Sequence, residues 1–211
     1  MLNKKLQPYI CRFADFTYKK ALICAKYLIN HNVSANMITF CGILFAILGL
    51  NFLAINNYFL AFICLISNRI CDILDGICAR LKKITSFGIF FDIIADYTSF
   101  SLFIWGFTLA NPQDNSGGGV FLLICLLISA VSLLSYALIS KQDYKKINQS
   151  NVKICLWGHL QNFDTFIALV LLCIFNQHFM PISIFFSLLL LGKSLIISSK
   201  AYYTLEIKDK G

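Results

Sequence analysis

Residues 71–100 read CDILDGICARLKKITSFGIFFDIIADYTSF, an apolar run that carries four aspartates. Asp72, Asp75, Asp92 and Asp96 interrupt segments that otherwise read as membrane-spanning. A carboxylate at the centre of a bilayer costs roughly 2.5–3.5 kcal/mol on insertion scales, so four in so short a stretch need partners. At about 100° of turn per residue, Asp72, Asp75, Gly76 and Ala79 share one face of a first helix, with Arg80 at its edge. Gly88, Asp92 and Asp96 follow one another every fourth residue and form one stripe of a second helix. The short loop 81–87 joins the two, so an antiparallel pair is predicted to aim four carboxylates at one spot. Acids that close repel strongly unless protons or cations intervene. Hard oxygen ligands without His or Cys suit Mg²⁺ or Mn²⁺. A metal-dependent site at the membrane surface is the expectation.

The remainder of the chain supports that setting. Its 211 residues are 58% hydrophobic and only 13% charged, with a mean hydropathy of +0.74. That excludes an ordinary soluble domain and predicts one polytopic membrane domain over 1–211. Length allows about six helices of roughly 20 residues, with little left for a soluble part. The start, MLNKKLQPYICRF, lacks the compact apolar core of a cleavable leader, so none is expected. The nine cysteines are odd in number and scattered through apolar segments without a C-x-x-C pair. They read as small buried hydrophobes with no assigned chemistry.

Residues 4–30 mix apolar positions with six Lys or Arg, which predicts an amphipathic helix over 1–32 lying in the interface, its basic face toward anionic headgroups. A role in binding nucleic acid is not expected, because it would leave the apolar face uncovered. Six spans follow over about 36–199. They run from about Asn36 to Ile55, Tyr58 to Arg80, Phe87 to Ala110, Val120 to Ser140, Gly158 to Phe175 and Ile182 to Ser199. HNVSAN and Asn56-Asn57 are turns, and NPQDNSGGG (111–119) reads as a loop by its Pro and Gly content. NQHFMP (176–181) turns the chain, and a short charged tail ends it.

All 18 Lys and Arg, Arg69 and Lys193 included, are read as lying in the N-terminal segment, the loops near 80 and 145, the tail or the span ends beside them, while the turns near 56, 114 and 178 have none. The positive-inside rule then puts both termini and the acidic site on the cytoplasmic side, in the inner membrane if the source is bacterial. The net charge of +8 reads as contact with anionic lipid heads.

Written out, the motif is Asp72-x2-Asp75-Gly76-x2-Ala79-Arg80-x7-Gly88-x3-Asp92-x3-Asp96. These eight positions at set spacing resemble the signature of the CDP-alcohol phosphatidyltransferases, membrane enzymes of phospholipid synthesis. Asn36-x-x-Thr39 at the opening of the first span, the six spans and the N-terminal segment are similar to that family as well. Two departures are visible: seven residues separate Arg80 from Gly88 where the family has eight, and Ala35 stands where it often has Pro. The resemblance implies an all-α bundle that transfers a phosphatidyl group from a CDP-linked lipid donor to an alcohol acceptor and releases CMP. It implies two divalent cations, Mg²⁺ or Mn²⁺, held by Asp72, Asp75, Asp92 and Asp96, with Asp96 also taking the proton of the attacking hydroxyl. Gly76 and Ala79 would let the cytidine pack close to the helix. Arg80 would pair with the diphosphate, and Asn36, Thr85 and Gly88 would border the donor. Family members are commonly homodimers, which is analogy only.

The competing reading is a cation- or proton-coupled transporter using the intramembrane carboxylates. Transporters often carry inverted repeats and interrupted helices near the midplane, and this sequence has neither. A bundle whose site has lost activity is a third reading, which the intact motif opposes. Asp164, within WGHLQNFDTF, is as readily a satisfied polar residue as a substrate contact. Lys141, Lys145 and Lys146 read as topology signals, and Tyr202-Tyr203 as an interfacial aromatic belt. His31 and His178 sit in turns, with nothing to tie them to a metal.

Overall fold

The structure, a computed structural model, describes residues 20–141 and 163–209, and these are helical apart from short connections. Helix α1 covers 20–30, followed by α2 (Ala35–Ala54), α3 (Tyr58–Leu81), α4 (Ser86–Ala110) and α5 (Pro112–Lys141). Then come α6 (Phe163–Ile174), a single 3₁₀ turn (Asn176–His178) and α7 (Phe179–Asp209). Residues 1–19 and most of the basic segment 141–153 lie outside the described residues, as do His159, Gln161 and Asn162. The expected interfacial helix is therefore seen only in its last part.

The helix boundaries follow local chemistry. Ser34, Asn57 and Thr85 each accept a hydrogen bond at a helix N-terminus, from Met37, Leu60 and Gly88 respectively. Asn32 and Asn56 take positive φ (61° and 60°), the left-handed conformation that Asn tolerates better than most residues. The predicted turns at HNVSAN and Asn56-Asn57 are thus present.

One expected loop is absent. NPQDNSGGG does not separate two spans, because α5 begins at Pro112 and runs through the glycines. Proline at a first helical position lacks only an N–H that would have no partner there. Asp114 lies in that first turn, and its carboxylate accepts from the Asn111 side chain at 2.7 Å. The glycines serve packing: a Cβ at Gly118 would collide with Ser183 and Met180, and one at Gly119 with Thr108. The last helix is longer than the expected span, since α7 starts at Phe179 and stays helical through the charged tail to Asp209. Arg69 and Lys193, read as charges at span ends, instead lie well inside α3 and α7.

Four helical stretches are long and apolar enough to cross a membrane: Ala35–Ala54, Ser86–Ala110, Pro112–Ala137 and Asn176–Tyr203. The 24 residues of α3 match them in length, but its polar motif lowers its hydropathy, and the described part of α6 is shorter. Large apolar side chains such as Phe59, Leu127, Phe185 and Leu195 face outward, as lipid contact requires.

Helix α2 packs along both α3 and α4, which touch each other little. The antiparallel pair expected from the sequence is thus wedged by a third helix. Lipid tails are as apolar as the helices, so association rests on close packing and on small residues at the crossing. Gly106 supplies one, since a Cβ there would sit 3.0 Å from the Leu50 backbone. Helix α5 packs along α7 and meets α4. Phe100, Phe103, Ile104 and Phe107 of α4 form the buried centre, together with Leu53, Leu65, Leu122, Leu172 and Phe179. A smaller cluster of Ala25, Ile38, Ile77 and Cys78 seats α1 on the ends of α2 and α3 that flank the acidic motif.

Candidate metal centre and substrate cavity

The C-terminal half of α3 and the N-terminal half of α4 come together at the end of the bundle near the 82–85 connection. Asp72, Asp75 and Asp92 each offer a carboxylate oxygen there, all within 4.8 Å of one another. The spacing predicts four acids from two helices at one spot, and three of them meet. Their oxygens form a hard donor set of the kind that holds Mg²⁺ or Mn²⁺, so the residues fit the group. Asp96 stands outside this trio, with Oδ1 3.5 Å from Arg69 Nη2.

Each acid has a defined neighbour. Asp75 is the most buried, 4% exposed, and its Oδ2 accepts a hydrogen bond from the Thr39 hydroxyl at 2.5 Å. Asp72 Oδ2 is 2.7 Å from Arg69 Nη1. Beneath the acids, buried Asn68 donates from Nδ2 to the Gly42 carbonyl (2.9 Å) and to Ser99 Oγ (3.0 Å), joining α3 to α2 and α4. Burying Asp75, Asn68 and Ser99 is tolerable because each is bonded, whereas the buried Nε and Nη2 of Arg69 have no hydrogen-bond partner among the described residues.

A cavity of about 230 Å³ opens beside the acids. Asp75 and Asp92 are among its lining, as are Asn36, Gly76, Ala79, Thr85 and Gly88, so five of the six residues expected to border the donor do surround one space. Arg80 is the sixth. It does not line the cavity, but its Nη2 lies 3.4 Å from where a Gly76 Cβ would be. Thr85 caps α4 through Gly88 N at 3.0 Å, so its hydroxyl already has a structural duty. A Cβ on Gly88 would come within 2.9 Å of that hydroxyl and 3.6 Å of Asn36 Oδ1, which accounts for a glycine here.

Sequence reasoning passed over Lys82 and Lys83, which also line the cavity, and gave no site role to Thr39 or Arg69. A signal existed for two of them. Thr39 stands three residues after Asn36, and Arg69 three before Asp72, so each shares a helical face with a residue already singled out. Asp164 pairs with Lys193 of α7, which makes it a satisfied polar residue.

With this geometry, the comparisons with known proteins agree. The CDP-alcohol phosphatidyltransferase family profile matches residues 32–189, and the chain belongs to that family. It is an integral membrane protein. It is 30% identical over 183 residues to the inner membrane protein YnjF of Escherichia coli (strain K12), covering 85% of this chain and 84% of that one. It is also 32% identical over 132 residues to an uncharacterized protein of Aquifex aeolicus (strain VF5), covering 62% and 63% of the two chains. No solved structure matches it.

Proposed function

We propose that this protein transfers a phosphatidyl group from a CDP-linked lipid to an alcohol and releases CMP, in phospholipid synthesis at the cytoplasmic face of a six-span bundle. The observation that carries the proposal is the trio Asp72, Asp75 and Asp92, of which Asp75 and Asp92 line a cavity bordered by Asn36, Gly76, Ala79, Thr85 and Gly88. Asp72, Asp75, Asp92 and Asp96 would hold two divalent cations, Mg²⁺ or Mn²⁺. Bound there, such ions neutralise a diphosphate and stabilise an in-line displacement at phosphorus.

The chain's own groups supply the rest. Gly76 and Ala79 leave space for a nucleotide against α3. Arg80, with Lys82 and Lys83 nearby, offsets the phosphate charge. Asp96 takes the proton from the acceptor hydroxyl as the new oxygen–phosphorus bond forms and the bond to the CMP phosphate breaks. An ordinary Asp is a weak base, so its placement beside the attacking oxygen matters more than its basicity.

A lipid-linked donor is favoured by a second feature. An open apolar groove of about 340 Å³, lined by Met37, Phe40, Cys41, Phe87 and Phe91, adjoins the cavity and shares Asn36 with it. CDP in the cavity and acyl chains along this groove keep each part of a CDP-diacylglycerol in its own solvent. Transport by the same carboxylates is the competing reading, and family membership speaks for group transfer.

The test is purified protein with CDP-diacylglycerol, Mg²⁺ or Mn²⁺ and a panel of alcohols, read as released CMP. Cation-dependent CMP release with one acceptor supports the proposal. No release with any acceptor, together with cation flux through reconstituted vesicles, would overturn it.

A further inference from the structure

Arg69 lies one helical turn ahead of the eight signature positions, yet it reaches two acids of the site, one on each helix. Its Nη1 is 2.7 Å from Asp72 on α3, and its Nη2 is 3.5 Å from Asp96 on α4. The guanidinium carbon lies 5.1 Å from the ring centroid of Phe100 and 5.6 Å from that of Phe166 on α6. Phe100 is fully buried, and the guanidinium as a whole is largely enclosed. Three helices therefore converge on one planar cation.

A cation needed only to offset charge requires no such support. A flexible lysine beside the acids would do that, without aromatic contacts and without reaching two helices. A planar fork is suited to holding two carboxylates at set positions, and stacking on aromatic rings fixes its own orientation. Asp72 belongs to the ligand trio, while Asp96 is the proposed base, so the fork links the ion-holding part of the site to the proton-accepting part. Without it, two acids on facing helices would repel and turn apart.

We propose that Arg69 is a positioning residue that, from between the rings of Phe100 and Phe166, sets the carboxylates of Asp72 and Asp96 for the metal centre. The inference rests on the phosphatidyl-transfer reading. Hydrogen bonds to ligating carboxylates typically matter by about 10–100-fold in metal affinity or activity.

The test is Mn²⁺ binding to purified protein, followed by electron paramagnetic resonance, in wild type, Arg69→Lys, Asp72→Asn and the double variant. Arg69→Lys keeps the charge and removes the fork, so a purely electrostatic role predicts wild-type affinity. Positioning predicts Mn²⁺ binding weakened about tenfold in Arg69→Lys, with little added loss when Asp72→Asn is already present. Thermal unfolding checks that each variant is folded, and Phe166→Leu, which keeps the charge and removes one ring against the guanidinium, serves if the lysine variant is not. In turnover, positioning lowers kcat while the donor KM holds. Wild-type Mn²⁺ affinity in a folded Arg69→Lys overturns the inference and leaves the transferase reading standing. Absence of Mn²⁺ binding by the wild type overturns both.

Discussion

Thr39 on α2 donates its hydroxyl to Asp75 on α3 across 2.5 Å, and so binds the first span to the most buried acid of the motif. Packed along both α3 and α4, α2 brings Asn36 to the cavity and Thr39 to the acids. Replacing Thr39 with Val keeps the shape and removes the donor. Thr39→Val is expected to weaken Mn²⁺ binding about tenfold, and Thr39→Ser to restore it. Metal titration of the purified variants checks this.

Removing the ions tests the trio as a whole. Chelation should abolish CMP release reversibly, and added Mn²⁺ or Mg²⁺ should raise the unfolding temperature. At 100 times the dissociation constant, ligand linkage contributes about 2.7 kcal/mol. Asp92→Asn should lose both the cation-induced thermal shift and activity while remaining folded. A thermal shift that persists in Asp92→Asn would place the ions elsewhere.

The polar node below the acids is structural in kind. Asn68→Ala leaves the Ser99 hydroxyl without the Asn68 amide and the Gly42 carbonyl without its side-chain donor. The expected cost is about 1–3 kcal/mol of stability, from losing buried hydrogen bonds. Thermal unfolding in detergent measures it.

Glycines should differ sharply by place. A Cβ at Gly106 meets Leu50 and Leu53 within 3.0 Å, while one at Gly192 meets nothing within 4 Å. Gly106→Val should therefore destabilise the fold by about 1–3 kcal/mol through overpacking. Gly192→Ala should be neutral or stabilising by up to about 1 kcal/mol through helix propensity. Equal effects at the two sites would contradict the α2–α4 packing.

The proposed six spans with cytoplasmic termini make a topology prediction. A reporter active only outside the cytoplasm should work when fused after Asn57 and fail when fused after Lys83. The reverse pattern would invert the orientation drawn from the positive charges.

Much of the site was legible because its logic is local. A helix repeats its faces every three or four residues whatever surrounds it. Asp72 and Asp75 therefore had to share a face with Gly76 and Ala79, and Asp92 had to line up with Gly88. The turns at Asn32 and Asn56 and the caps at Ser34, Asn57 and Thr85 are equally local, since each rests on a side chain beside its own backbone.

Contacts between helices are a different matter. Periodicity says which face is polar but not which helix it meets, so nothing in the spacing put α2 between α3 and α4 or led Arg69 to span Asp72 and Asp96. The glycines after Pro112 misled for the same reason. Alone they signal a loop, but with Thr108, Met180 and Ser183 pressed against them they are the surface on which α5 meets its neighbours. Composition and spacing by themselves determined a membrane bundle with acids on two helical faces. Tertiary packing alone decided which oxygens meet, because that depends on how closely whole helices can approach.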